Sequence, residues 1–122
     1  MLQNHVEASK ISTGYNIFYD YEYTAINVIV GGTQVGPTLQ ARNNTIINVR
    51  NGIVVQNPAS VIENNIIVGA SYAGIVPISW THDQNIQYNL FWNNHMDYIS
   101  ETDWPTEQLL ESWAVLGEGN IF

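Results

Sequence analysis

The sequence predicts an all-β chain, a right-handed solenoid of parallel strands with about four coils and a short covering helix near its C-terminal end. Three observations carry this reading. First, an asparagine followed by a strand-like triplet recurs as Asn44-Thr45-Ile46-Ile47, Asn65-Ile66-Ile67-Val68 and Asn89-Leu90-Phe91-Trp92. Second, a glycine phrase runs between the copies, as Gly52-Ile53-Val54-Val55 and Gly74-Ile75-Val76. The asparagine steps are 21 residues (44 to 65) and 24 (65 to 89). A period near 22 without an internal helical pattern is that of a chain in which each turn is one repeat. Third, the 122 residues hold 15 Asn, 15 Ile and 11 Val but only 11% charged residues. Ile and Val pack well on a pleated surface, and Asn suits tight turns. Many short strands joined by tight turns follow.

The elements come in order. Residues 1–10 are polar and mixed, with no period. Gly14-Tyr15-Asn16-Ile17-Phe18-Tyr19 is an early copy of the asparagine phrase, and Ala25-Ile26-Asn27-Val28 an early copy of the glycine phrase. The two registers agree: Asn16 to Asn44 is 28 residues and Ile26 to Ile53 is 27, while Asn44 to Asn65 is 21 and Ile53 to Ile75 is 22. Residues of about 10–100 therefore read as successive coils, the first lengthened by a loop around Gly31-Gly32-Thr33-Gln34-Val35-Gly36-Pro37. A third short strand precedes each asparagine: Leu39-Gln40-Ala41, Val61-Ile62-Glu63 and Ile86-Gln87-Tyr88. Three strands per coil are expected. The turn after the glycine phrase varies most, holding Gln56 to Ser60 in one coil and Ser79 to Asn85 in the next. Such variation maps to one face of a solenoid, often the binding face.

Same-sense stacking implies parallel sheets with strands ~4.8 Å apart and right-handed crossovers. Equivalent residues then form columns. Ile46, Ile66 and Leu90 are expected to share one inward column, and Ile53 and Ile75 another. Asn16, Asn44, Asn65 and Asn89 are expected to form a structural turn ladder of stacked amides, with Asn120 opening a truncated fifth copy.

The phrases ARNNTIINVRNGIVV, ENNIIVGASYAGIV and QYNLFWNN resemble coils of the pectin-lyase-like superfamily, the right-handed parallel β-helices of carbohydrate-active proteins. The resemblance covers roughly residues 10–100. It implies a polysaccharide ligand and an extracellular or periplasmic setting, although the N-terminus MLQNHVEASK lacks the pattern of a signal peptide. That superfamily includes polysaccharide lyases, glycoside hydrolases, esterases, epimerases and members without known catalysis. The function expected here is a carbohydrate-binding or carbohydrate-processing module, non-catalytic as the chain stands. The alternatives are a fragment of a lyase or hydrolase whose catalytic coils lie outside these residues, and a structural self-assembling module.

Residues 1–122 read as a single domain. Its last part changes character, since Thr106 to Leu116 is amphipathic, with Leu109, Trp113 and Leu116 on one face. Pro105 suits the first turn and Gly117 the stop, so a helix over about 105–116 is expected to cover apolar surface or a strand edge. Four coils without evident caps make a short solenoid. Either a longer β-helix or homo-oligomerisation through open ends or edges is expected.

The net charge is -8, with Lys10, Arg42 and Arg50 the three basic residues. That balance argues against nucleic acid and against an anionic membrane surface. With no cysteine, thiolate metal sites and disulfides are excluded. Arg42 and Arg50 lie on opposite sides of a strand and read as solvated or turn-bonding, so no lyase site is assembled. The carboxylates are scattered: Asp20 and Glu22 fall in the first coil's turn, and Glu63 has no expected partner. No cofactor is required. A calcium ion near Asp97, Glu101 and Asp103 is the weak metal option. The substrate-binding residues that stand out are Trp80, His82 and Asp83 on the variable turn, where Trp80 could stack on a sugar and His82 could exchange a proton. Trp92 is expected to pack at a coil corner.

Overall fold

The computed structural model describes residues 10–29, 36–78, 85–99 and 118–122. Within them the chain is all-β. The strands are β1 (Lys10–Gly14), β2 (Ile17–Val28), β3 (Thr38–Arg42), β4 (Thr45–Val55), β5 (Val61–Glu63), β6 (Ile66–Val68), β7 (Ala73–Pro77), β8 (Ile86–Gln87) and β9 (Leu90–Trp92). They form two sheets, and every pairing within them is parallel. The first sheet has the order β1-β3-β5-β8. The second has the order β2-β4-β6-β9, with β7 also paired to β4. The chain alternates between the sheets, and each strand pairs with its equivalent one repeat later.

The local cause is a pair of one-residue corners. Tyr15, Asn43, Asn64 and Tyr88 have φ of 58, 56, 57 and 56°. Each precedes a repeat asparagine and turns the chain from the first sheet into the second. Asp20, Asn48 and Asn93 have φ of 50, 53 and 52°, and Gly69 has 68°. They form a second corner within the second sheet. Asparagine tolerates this left-handed conformation, and glycine adopts it without side-chain strain. A corner of one residue barely interrupts the hydrogen-bond ladder. β2 and β4 therefore run through it as single strands, whereas β6 and β7 are separate. The three strands per coil read from the sequence thus merge into two in the first two repeats. Asp20 and Glu22 accordingly lie inside β2.

Burial follows the period-two alternation of a pleated strand. Leu39, Ala41, Ile62 and Ile86 point inward from the first sheet, and Ile53 and Ile75 from the second. The inward column after the asparagines is Phe18–Ile46–Ile67–Phe91, not Ile46–Ile66–Leu90. The asparagine is itself buried, so the next residue must face out and the one after it in. Ile66 is 42% exposed while Ile67 is fully buried. The same alternation corrects Trp92. Its neighbour Phe91 takes the inward place, and Trp92 is 66% exposed rather than packed at a corner. Glu63 does have a partner: register sets it beside Arg42, whose Nε lies 2.5 Å from Glu63 Oε1.

The asparagines bond one another. Asn44 donates its backbone N–H and its Nδ2 to Asn65 Oδ1, both at 3.0 Å. Asn65 does the same to Asn89 Oδ1 at 2.9 and 3.0 Å. The column runs from Asn16 to Asn120. The glycine phrase has a different cause. A Cβ on Gly52 would strike the Gly74 carbonyl oxygen, and one on Gly74 would lie 2.6 Å from the Asp97 carbonyl oxygen. These backbones approach closely between successive strands, and only glycine allows it. The segment 105–116, where a covering helix is expected, lies outside the described residues.

Candidate functional site

Beside the second corner, three residues that directly precede a matched position fall on neighbouring strands. Thr24 pairs with Asn51, and Asn51 with Ala73. Tyr23, Arg50 and Tyr72 stand one residue earlier in the chain, and although β2 carries an irregularity between Tyr21 and Thr24, all three line one groove. They edge a groove of about 870 Å³ whose apolar wall includes Val54, Val76, Pro77, Ile78 and Ile99. Tyr23 is 64% exposed, and its ring meets Tyr21 edge-on at 5.9 Å. Tyr72 is half-buried and packs against the small cluster of Ala73, Met96 and Ile99.

Arg50 is exposed between the two tyrosines and forms no salt bridge among the described residues. Its carbonyl accepts from the Tyr72 N–H at 2.9 Å, which ties Tyr72 to β4. Next to it, Asn51 Nδ2 donates to Thr24 Oγ1 at 3.3 Å, and Asn51 Oδ1 is buried without a hydrogen-bond partner. A shallower hollow lies on the other side of Arg50, bounded by Asp20, Glu22, Asn48 and Ser71. There Asn48 Nδ2 donates to Asp20 Oδ1 at 3.0 Å.

Two aromatic rings about a guanidinium that forms no salt bridge among the described residues provide stacking planes and a planar fork of donors. An apolar wall with a few polar groups at its edge is the usual make-up of a small-ligand site.

The sequence-derived site residues distribute as follows. Trp80, His82 and Asp83 lie outside the described residues. Glu101 and Asp103 also lie outside them. Asp97 is described and takes part in two hydrogen bonds. Its Oδ1 accepts from Asn94 Nδ2 at 2.9 Å, and its carbonyl accepts from the Ile75 N–H at 3.0 Å. No group of three His, Cys, Asp or Glu side chains converges among the described residues. The ladder asparagines are buried at Asn44, Asn65 and Asn89, each 1% exposed, and Asn16 is exposed at the end of the column.

Sequence reasoning missed Tyr23 and Tyr72 and set Arg50 aside. A signal was present: Tyr23-Thr24-Ala25-Ile26, Arg50-Asn51-Gly52-Ile53 and Tyr72-Ala73-Gly74-Ile75 extend the glycine phrase upstream in constant register. In comparisons with known proteins, no family, curated protein or solved structure matches this chain.

Proposed function

We propose that this chain is a carbohydrate-binding module built as a right-handed parallel β-helix of about four coils, and that the groove at Tyr23, Arg50 and Tyr72 takes a stretch of polysaccharide. Two sheets of parallel strands in repeat order support the β-helix reading, and the strong preference of parallel crossovers supports its hand. The resemblance of the repeat phrases to the pectin-lyase-like superfamily points the same way. Fold alone is a weak warrant for function, so the reading rests on the site. The observation that carries it is the open groove edged by Tyr23, Arg50 and Tyr72.

The chemistry suits a sugar. A pyranose has apolar C–H faces that stack on rings, and hydroxyls that accept from a guanidinium. The net charge of -8 opposes approach of polyanions in general, and Arg50 supplies a local cation at the groove. Binding without turnover is the simplest use of this row, because stacking and hydrogen bonding hold a chain without a proton-transfer pair.

Affinity electrophoresis through gels containing neutral or acidic polysaccharides tests the reading. At least one polysaccharide should retard the protein. Tyr23→Ala and Arg50→Ala should each weaken retardation about tenfold, equivalent to ~1.4 kcal/mol, with the melting temperature unchanged. Migration unaffected by every polysaccharide, or retardation that both variants retain, overturns it.

A further inference from the structure

The sequence holds one Asn-X-Ser/Thr motif, Asn43-Asn44-Thr45, which is the acceptor pattern for N-linked glycans. The fold separates its three residues. Asn44 is inward and committed to the asparagine column, where its N–H and Nδ2 both donate to Asn65 Oδ1. Asn43 is the exposed corner residue before it, with φ of 56°. Thr45 follows on the outward side of β4 and is half-buried. The backbone is fixed on both sides of Asn44: the Asn43 N–H donates to Glu63 O at 3.3 Å, and the Thr45 N–H to Asn16 O at 2.9 Å. The side chains of Asn43 and Thr45 form no hydrogen bond among the described residues.

We propose that Asn43 is the acceptor of an N-linked glycan. Three observations support this site. First, the fold requires neither side chain. The corner needs a left-handed backbone, and Tyr15 and Tyr88 supply it at the same place in two other coils. Register sets Thr45 level with Ile17, Ile66 and Leu90, so its hydroxyl is the single polar side-chain group in an apolar column. Second, the corner has room. Tyr15 is 86% exposed and Tyr88 47%, so this position already carries large side chains into solvent. Third, the glycan stands clear of the groove, which neither Asn43 nor Thr45 lines.

The donor is an oligosaccharide joined through pyrophosphate to a membrane lipid. Asn43 Nδ2 attacks the anomeric carbon of its first sugar. The N–C bond forms as the C–O bond to the pyrophosphate breaks. The lipid pyrophosphate departs with the bonding pair, and Nδ2 gives up one proton to a base of the transferase. The Thr45 hydroxyl is the group read two residues beyond the acceptor. The attached oligosaccharide then stands at the corner between the two sheets, outside the core.

Expression of the full chain behind a cleavable secretion signal in a eukaryotic cell line tests this, with intact-mass and peptide mass spectrometry of the product. The wild type should gain the mass of one oligosaccharide on the peptide containing Asn43. Peptide N-glycosidase should remove that gain and convert Asn43 to aspartate. Asn43→Gln and Thr45→Val should each abolish the gain, and if Asn43→Gln is not secreted, Thr45→Val decides. Glycosylated and deglycosylated protein should melt at the same temperature, because the sugar lies outside the packed core. Ile66→Thr in the Asn43→Gln background moves the motif to the equivalent corner at Asn64, and should restore one glycan there. A secreted wild type without added mass overturns the proposal, and so does a gain that Thr45→Val retains. A glycosylated chain that melts well below its deglycosylated form overturns it too, since the corner would then not accommodate the sugar. Absence of a glycan on the Ile66→Thr background overturns the claim that the corner presents the acceptor.

Discussion

Asn65→Ala is the sharpest test of the asparagine column. Asn65 is 1% exposed. Its Oδ1 accepts from the Asn44 N–H and Asn44 Nδ2, both at 3.0 Å. Its Nδ2 donates to Ala41 O at 3.0 Å, Glu63 O at 3.2 Å and Asn89 Oδ1 at 3.0 Å. Alanine removes all five bonds, but the lost partners are not equally stranded. Asn44 Nδ2 keeps Thr13 O at 3.1 Å, and Asn89 Oδ1 keeps the Asn65 N–H at 2.9 Å. The Asn44 N–H loses its side-chain acceptor in a buried site. One stranded donor is worth ~1–3 kcal/mol, and the weakened carbonyl contacts add to it. A loss of about 3 kcal/mol follows, or roughly 10 °C in melting temperature for a chain of this size. Asn16→Ala is the internal comparison. Asn16 is exposed, so water replaces its bonds to Thr13 and Gly14, and the loss should stay below ~1 kcal/mol. Asn65→Asp separates hydrogen bonding from volume. It keeps the acceptor but turns a second oxygen toward the carbonyls of Ala41 and Glu63, so it should destabilise at least as much as alanine. Urea unfolding followed by tryptophan fluorescence measures all three. An Asn65→Ala stability within ~0.5 kcal/mol of wild type, or no larger an effect than Asn16→Ala, refutes the argument that the column holds the repeats in register.

Two further predictions concern the glycine phrase and the last corner. Gly52→Ala should destabilise by ~2–3 kcal/mol, because the new methyl meets the Gly74 carbonyl oxygen and no side-chain rotation can relieve backbone contact; a thermal melt superimposable on wild type would count against the close approach. At the last corner, Tyr88 Oη donates to Glu118 Oε1 at 2.5 Å. This bond, and then the negative charge of Glu118, hold the Tyr88 phenol above its usual pKa. A raised folded pKa means that the protonated form is favoured in the native state. The contribution is full below the usual tyrosine range near 10 and is lost as pH rises through the folded value. Tyr88→Phe should therefore flatten part of the alkaline fall in stability, read from melting temperatures between neutral and strongly alkaline pH. A wild type and variant that lose stability in parallel would remove this contact from the account.

Much of the architecture was legible because it depends on spacing. Asn44, Asn65 and Asn89 keep step with Gly52 and Gly74, and two phrases in one register leave few ways to stack the chain. Parallel sheets follow from that repeat. Facing was harder to read. Whether Ile66 or Ile67 turns inward depends on whether the preceding asparagine is inside, and the triplet Ile66-Ile67-Val68 is apolar at every position. In a strand with no polar residue the alternation leaves no trace in the sequence. Trp92 was misjudged for the same reason, and Glu63 because a one-residue slip in register hid Arg42. The candidate site was the least legible. Tyr23, Arg50 and Tyr72 are different residue types at equivalent positions, so a search for repeated phrases passes over them.

By itself the sequence determined the repeat, its register and the strand-and-turn character, because residue spacing and backbone preference are local properties. The tertiary structure decided which side of each strand meets water. It placed five side-chain hydrogen bonds on Asn65, brought Tyr23, Arg50 and Tyr72 to one groove and set an apolar face outward. Those outcomes require residues from different repeats to be superposed, and a shift of one residue between strands exchanges the inside of the sheet for the outside.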